Sequence, residues 1–315
     1  MLGRGTDNSR RPLPGPHPTP GLPAGGTTAP TLVVTGAVPR PHDWQPGVWM
    51  SAASTSAGSA VDRGGPPDQR TPDRPTAADR AASAHELLRQ AWSVLRERVA
   101  GLDEDAFRAP SLLPGWSRAH LVSHLARSAD ALVNLLTWAR TGIEHPAYPS
   151  RADRDADIEA GADRLGQVIR EDLGAACDRF HVAVDGLADD QWSATVAHHT
   201  GRTFPAEQVV EMALFEAWNH LVDLDVGVRY ADVPDAALER LLDHAVRPHL
   251  ARVDGEPVVL VAELAGGAQR SWELAIAAAP GAEELRGSGT AVLAWLTRGD
   301  ASGISGEPPE PAAWG

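Results

Sequence analysis

Between residues 79 and 224, large apolar residues recur at three- and four-residue steps in four separate stretches. That period places them on one face of a helix, so each stretch must bury a stripe against a neighbour. Leu88, Trp92, Leu95 and Val99 predict the first helix. Ser117 reads as the N-cap of a second, with Pro114 and Gly115 turning the chain before it and Gly142 closing it after Thr141. Leu121, Leu125, Leu132, Leu135 and Leu136 supply its buried face. Leu165, Val168, Ile169, Leu173, Cys177, Phe180, Val184 and Leu187 predict a third. Val209, Met212, Leu214 and Leu221 predict a fourth, with Pro205 in its first turn. Four long helices joined by irregular loops predict a bundle.

The pattern then changes. Residues 235–250 predict a fifth helix, through Leu238, Leu241, Leu242 and Val246. Beyond it the period shortens to two. Pro257 to Val261 and Ser271 to Ile276 read as strands, and Glu284 to Arg286 as a third. Thr290 to Thr297 would form a last short helix, stopped by Gly299. The expected fold class is therefore mainly α with an α+β part: a helical bundle over 79–250 and a small α+β unit over 251–315. Residues 1–78 are rich in Pro, Gly, Ser, Thr and Ala and poor in large apolar groups. Such a segment buries too little surface to offset its ordering entropy, so a disordered tail is expected.

Composition removes several kinds of chemistry. The formal net charge of −14 argues against nucleic acid or an anionic membrane as partner. No apolar run is long enough to cross a bilayer and no leader segment is visible, so a cytoplasmic protein is expected. Every basic side chain other than histidine is arginine, which excludes a lysine Schiff base and a P-loop lysine. The single cysteine, Cys177, forbids an intrachain disulfide and a cysteine zinc cluster. It falls in the third apolar stripe and reads as a buried, inert thiol.

One helical turn offers chemistry. Glu216 and His220 are four residues apart, so both project from one helical face. A carboxylate oxygen and an imidazole nitrogen so placed are adjacent ligands for an ion such as zinc; the same spacing also suits a plain surface pair. A third ligand would have to come from another helix, and His120 and His124 are the candidates on the second. His124 sits beside Leu125 inside the apolar stripe, whereas His120 lies in the first turn near solvent, which favours His124. Two histidines and one glutamate leave a fourth tetrahedral position open, the pattern of a catalytic site. Asp223, three residues after His220, either orients that imidazole or faces solvent. Arg298 ends the last helix; a guanidinium there could clamp a carboxylate, but on the residues alone a cation complementing the helix C-terminus is the favoured reading.

Several ordered blocks, taken together, resemble the mycothiol-dependent maleylpyruvate isomerase family. They are Ser111-Leu112-Leu113-Pro114-Gly115-Trp116-Ser117-Arg118 with His120 and His124, Asn134-Leu135-Leu136, Trp138-Ala139 and Thr141-Gly142. Gly201-Arg202-Thr203 with Pro205-Ala206 follows, then Glu216, His220, Val222-Asp223-Leu224, and finally Arg298-Gly299, Gly306-Glu307, Pro309-Glu310-Pro311 and Trp314. The likeness runs from about residue 85 to the C-terminus. It implies a DinB-like bundle, zinc held by His124, Glu216 and His220, and a catalytic Arg298. It also implies mycothiol, the low-molecular-weight thiol of actinobacteria, as cofactor. In such an enzyme the thiolate adds to the cis double bond of maleylpyruvate, the bond rotates, and elimination gives fumarylpyruvate, a step in gentisate degradation. Arg298 would hold a substrate carboxylate or balance enolate charge. One position departs: where such proteins often carry arginine just before the glutamate, this chain has Phe215. A mycothiol-dependent S-transferase acting on another electrophile, or a metal-binding paralogue without turnover, are the alternatives on the same scaffold.

Overall fold

Local sequence rules set the helix starts. Thr76 and Asp79 form a reciprocal cap at the head of α1 (Ala77–Ala100), the Thr76 side chain accepting from the Asp79 amide and Asp79 accepting from the Thr76 amide. In the computed structural model, residues 74–198, 201–250, 256–276, 284–306 and 308 are described. The expected tail up to residue 73 lies outside them, and Ala77 and Ala78 are already helical. Ser117 caps α3 (Arg118–Thr141), and Gly142 ends it at φ 70°, a left-handed conformation that suits glycine. With α5 (Gly166–Asp185) and α6 (Glu207–Asp223), α1 and α3 make the bundle: α3 packs on α5 and α6, and α1 on α6 and α5. Leu88, Leu95, Leu121, Leu135, Leu136, Ile169, Leu173 and Leu214 are enclosed at its centre. Each such side chain contributes about 1.5–3 kcal/mol by leaving water.

Several expectations need correction. Two short helices appear where apolar periodicity gave no sign of them: α2 (Glu104–Arg108) and α4 (Arg151–Ala162). The buried face of α4 is Arg154, Ile158, Gly161 and Ala162, with one large apolar group, so no stripe is visible in it. A Cβ on Gly161 would lie 2.9 Å from the Ser123 side chain, so glycine lets α4 approach α3 beside His124. Leu165 is the N-cap of α5 rather than part of its buried face, and it and Val168 are exposed. Pro205 does not open α6. It ends β2 (Thr203–Pro205), which pairs antiparallel with β1 (Thr195–Ala197), and the helix starts two residues later.

After the bundle, α7 (Asp235–Leu250) packs on α6 and also on β4 and α8. The sheet has the order β4-β3-β5-β6, from β3 (Glu256–Glu263), β4 (Gln269–Ile276), β5 (Glu284–Ser288) and the unanticipated β6 (Ile304–Ser305). β3 runs antiparallel to β4 and parallel to β5. Between β5 and β6 lies α8 (Gly289–Arg298), whose Val292, Leu293, Trp295 and Leu296 are fully buried. The architecture is thus the mainly helical one with a small sheet that the sequence predicts. No described helix is long and apolar enough to cross a membrane.

Candidate metal centre

The cap at Ser117 decides which histidine is available. His120 occupies the third position of α3, where its Nδ1 lies 2.6 Å from the Ser117 hydroxyl and its Nε2 3.3 Å from Glu159. That ring is committed to the helix start. His124 is one turn further along, 2% exposed, facing the α6 pair. Its Nε2 lies 3.1 Å from Glu216 Oε2 and 3.1 Å from His220 Nε2, and the Glu216–His220 side of the triangle is 3.3 Å. Ligand nitrogens and oxygens about 2.0–2.1 Å from a tetrahedral zinc stand about 3.3 Å apart. The three atoms therefore already trace one face of such a tetrahedron. Among the described residues, this is the group of histidine, cysteine and carboxylate side chains able to share an ion.

Each ring is held from behind. Asp223, 1% exposed, lies 2.8 Å from His220 Nδ1, and a carboxylate only accepts, so Nδ1 carries a proton and Nε2 is the nitrogen turned to the cluster, where it meets Glu216. Asp223 in turn takes both prongs of Arg298: Nε at 2.7 Å on Oδ1, and Nη2 on Oδ2. The remaining Arg298 nitrogen donates to the Thr297 carbonyl at 2.6 Å. Behind His124 stands Arg154 of α4, its Nη2 3.2 Å from Nδ1. A guanidinium only donates, so His124 Nδ1 accepts and its Nε2 proton points at Glu216. An ion taken by all three atoms must displace that proton, as ligation generally does.

Burial and these contacts set the protonation states. Burial pushes His124 down to about 4, against the pull of its Glu216 bond, so the ring is neutral. For Glu216, burial alone would raise the carboxyl, but hydrogen bonds from His124 and His220 outweigh it and hold it well below its ordinary value. Burial likewise works against a charged His220, while the bonds to Asp223 and Glu216 raise it. Tyr148, pushed up to about 12 by burial, stays a phenol. The Glu216 side chain is 26% exposed, compared with 2% for His124 and 4% for His220, so the cluster opens to solvent on the carboxylate side.

The structure thus brings His124, Glu216 and His220 together and leaves His120 out. It joins Arg298 to them through Asp223, which is buried rather than solvent-facing. Phe215 packs against His244, with ring centres 4.4 Å apart. Arg154 and Tyr148 were not anticipated; they sit on α4 and on the α3–α4 loop, where spacing carries no signal. Tyr230 was missed too: its hydroxyl donates to Asn219 at 2.7 Å and lies 2.8 Å from Thr297 Oγ1, tying α6 to α8.

A four-helix bundle that brings two histidines and one carboxylate together belongs to the class of helical bundles whose interior could hold a metal ion. Residues 88–225 match the family model of the mycothiol maleylpyruvate isomerase N-terminal domain. Two solved structures are similar over 75% of this chain and 96% of theirs, each with a TM-score of 0.63. One is a crystal structure of the mycothiol-dependent maleylpyruvate isomerase, 29% identical; the other is a histidine-to-alanine mutant of that enzyme, 28% identical. No curated protein sequence matches. Residues 88–225 thus carry a mycothiol maleylpyruvate isomerase N-terminal domain, and the chain is similar in sequence and fold to the solved mycothiol-dependent maleylpyruvate isomerase.

Proposed function

We propose that this protein is a zinc- and mycothiol-dependent cis–trans isomerase converting maleylpyruvate to fumarylpyruvate, with His124, Glu216 and His220 as metal ligands. The observation that carries the reading is the triangle of ligand atoms, with sides of 3.1, 3.1 and 3.3 Å, at the end of the bundle where Glu216 meets solvent. When bound, a divalent ion at this position would keep a small thiol deprotonated at neutral pH.

The chain's own residues complete the case. Cys177 is fully enclosed and burial pushes its thiol up to about 11, so the protein has no thiolate of its own to offer and the sulfur must be brought in. Asp223 fixes the tautomer and direction of His220. Arg298 acts on the site through Asp223, and its side chain remains 26% exposed, leaving it within reach of a substrate carboxylate or of charge developing on an enolate. Tyr148 retains its proton and can only donate. The same reading puts the protein in the cytoplasm, where low-molecular-weight thiols stay reduced.

The deciding experiment incubates zinc-loaded protein with mycothiol and maleylpyruvate and follows the ultraviolet spectrum for fumarylpyruvate. Mycothiol-dependent conversion supports the isomerase. An unchanged spectrum removes it. The second reading, a mycothiol S-transferase, is favoured by Phe215: an apolar ring packed on His244 stands where a cation would have helped hold a dianion. Loss of free thiol with an alkylating electrophile, alongside no isomerisation, would establish it.

A further inference from the structure

The geometry points to Arg154 as a carboxylate-recognising residue of this site, one that selects a two-carboxylate substrate; the inference rests on the isomerase reading above. Its side chain is 8% exposed, and burying a guanidinium is costly unless an anion or a function compensates. The carboxylate it meets is Asp155, the next residue along, at 2.7 Å, which is itself 40% exposed and lies 3.8 Å from Arg151 as well. Its second prong is 3.2 Å from His124 Nδ1, and its charge lies 5.9 Å from the centre of the Tyr148 ring. Arg154 therefore touches the ligand cluster directly, whereas Arg298 reaches it through Asp223.

Charge balance gives this placement a purpose. Asp223 and Arg298 neutralise each other, and Arg154 stands against Glu216 of the cluster and its own neighbour Asp155, so the site carries a formal charge of about −1 before an ion arrives. A divalent cation leaves it at about +1, a positive site for an anionic substrate, with the guanidinium of Arg154 placed to meet a carboxylate that the ion does not take. Because Phe215 supplies no charge, Arg154 takes over from another helix the attraction that an arginine beside Glu216 would give. The planar fork of a guanidinium matches the two oxygens of a carboxylate.

The test measures binding without turnover. Zinc-loaded protein is titrated with maleate, and with acetate as a one-carboxylate control, by calorimetry in the absence of thiol. Arg154→Leu should retain one equivalent of zinc by elemental analysis. It should bind maleate about tenfold to hundredfold more weakly, while acetate changes little. Arg154→Lys should recover part of the loss. Three results overturn the assignment: wild-type protein that does not bind maleate, maleate affinity unchanged in Arg154→Leu, or zinc lost from both variants, which would make Arg154 a positioning residue for His124. If the maleate pattern holds while mycothiol-dependent turnover is absent, the isomerase reading falls and the carboxylate site stands.

Discussion

Replacing Asp223 with asparagine separates orientation of a ligand from its mere presence. The side chain keeps its size but loses the charge that receives His220 Nδ1 at 2.8 Å and Arg298 Nε at 2.7 Å. The amide can still accept from the imidazole through its oxygen, but its nitrogen now meets a guanidinium. Removing a partner that orients a metal-bound histidine costs about tenfold to hundredfold in metal affinity, or about 1.4–2.7 kcal/mol. The metal-free fold also suffers, because Arg298 loses its counter-charge. Breaking a fully buried pair costs about 3–5 kcal/mol, and since Arg298 keeps 26% of its side chain in solvent the expected loss is nearer about 2–3 kcal/mol. Zinc affinity is measured by competition with a chelating dye, and stability of the metal-free protein by urea denaturation. A zinc affinity within about twofold of wild type, alongside the full loss of stability, would refute the orienting role and make Asp223 a purely structural partner of Arg298.

Other substitutions sort the remaining residues. His124→Ala and Glu216→Ala should lose bound zinc in elemental analysis, whereas His120→Ala should keep it and cost about 1 kcal/mol as a lost helix cap, measured by urea denaturation. Arg298→Ala should retain stoichiometric zinc and lose turnover; unchanged activity would leave it only its helix-end and Asp223 contacts. His85, whose Nε2 lies 2.7 Å from His181 Nδ1 between α1 and α5, sets an acid limit. Burial holds the folded His85 near 4 against 6.5 for the free ring, so the unfolded chain takes up its proton first as pH falls. Its contribution is complete only well above pH 6.5 and declines as pH falls from there through 5. Wild type should therefore lose more stability between pH 7 and 5 than His85→Gln does, and equal losses would exclude the pair as the cause.

The parts of this fold that the sequence reveals are those whose physics is periodic. Leu88, Trp92, Leu95 and Val99 stand on one face because a long helix buries one stripe, and the caps at Ser117, Gly142 and Gly299 mark helix ends with residues suited to them. α4 escapes the same reasoning because what it buries is an arginine, an isoleucine and two small residues, a face that looks solvated. Pro205 misleads because proline is at home both in the first turn of a helix and at the end of an edge strand, and only the pairing of Thr203 with Ala197 decides. For the site, spacing brings Glu216 and His220 together, and the depth of His124 in its apolar stripe favours it over His120. No spacing rule reaches from Asp223 to Arg298, or from His124 to Arg154, because those contacts join helices that only tertiary packing brings together.

The run of hydrogen bonds from α8 through Asp223 to an imidazole inside the bundle has a thermodynamic consequence. Filling the cluster and seating the last helix favour the same arrangement of Asp223, so each must strengthen the other by an equal amount of free energy. A cation entering the bundle would thereby be reported at a helix far along the chain. Amide exchange in α8 and the adjoining β5 becomes a gauge of occupancy at a centre to which neither contributes a ligand.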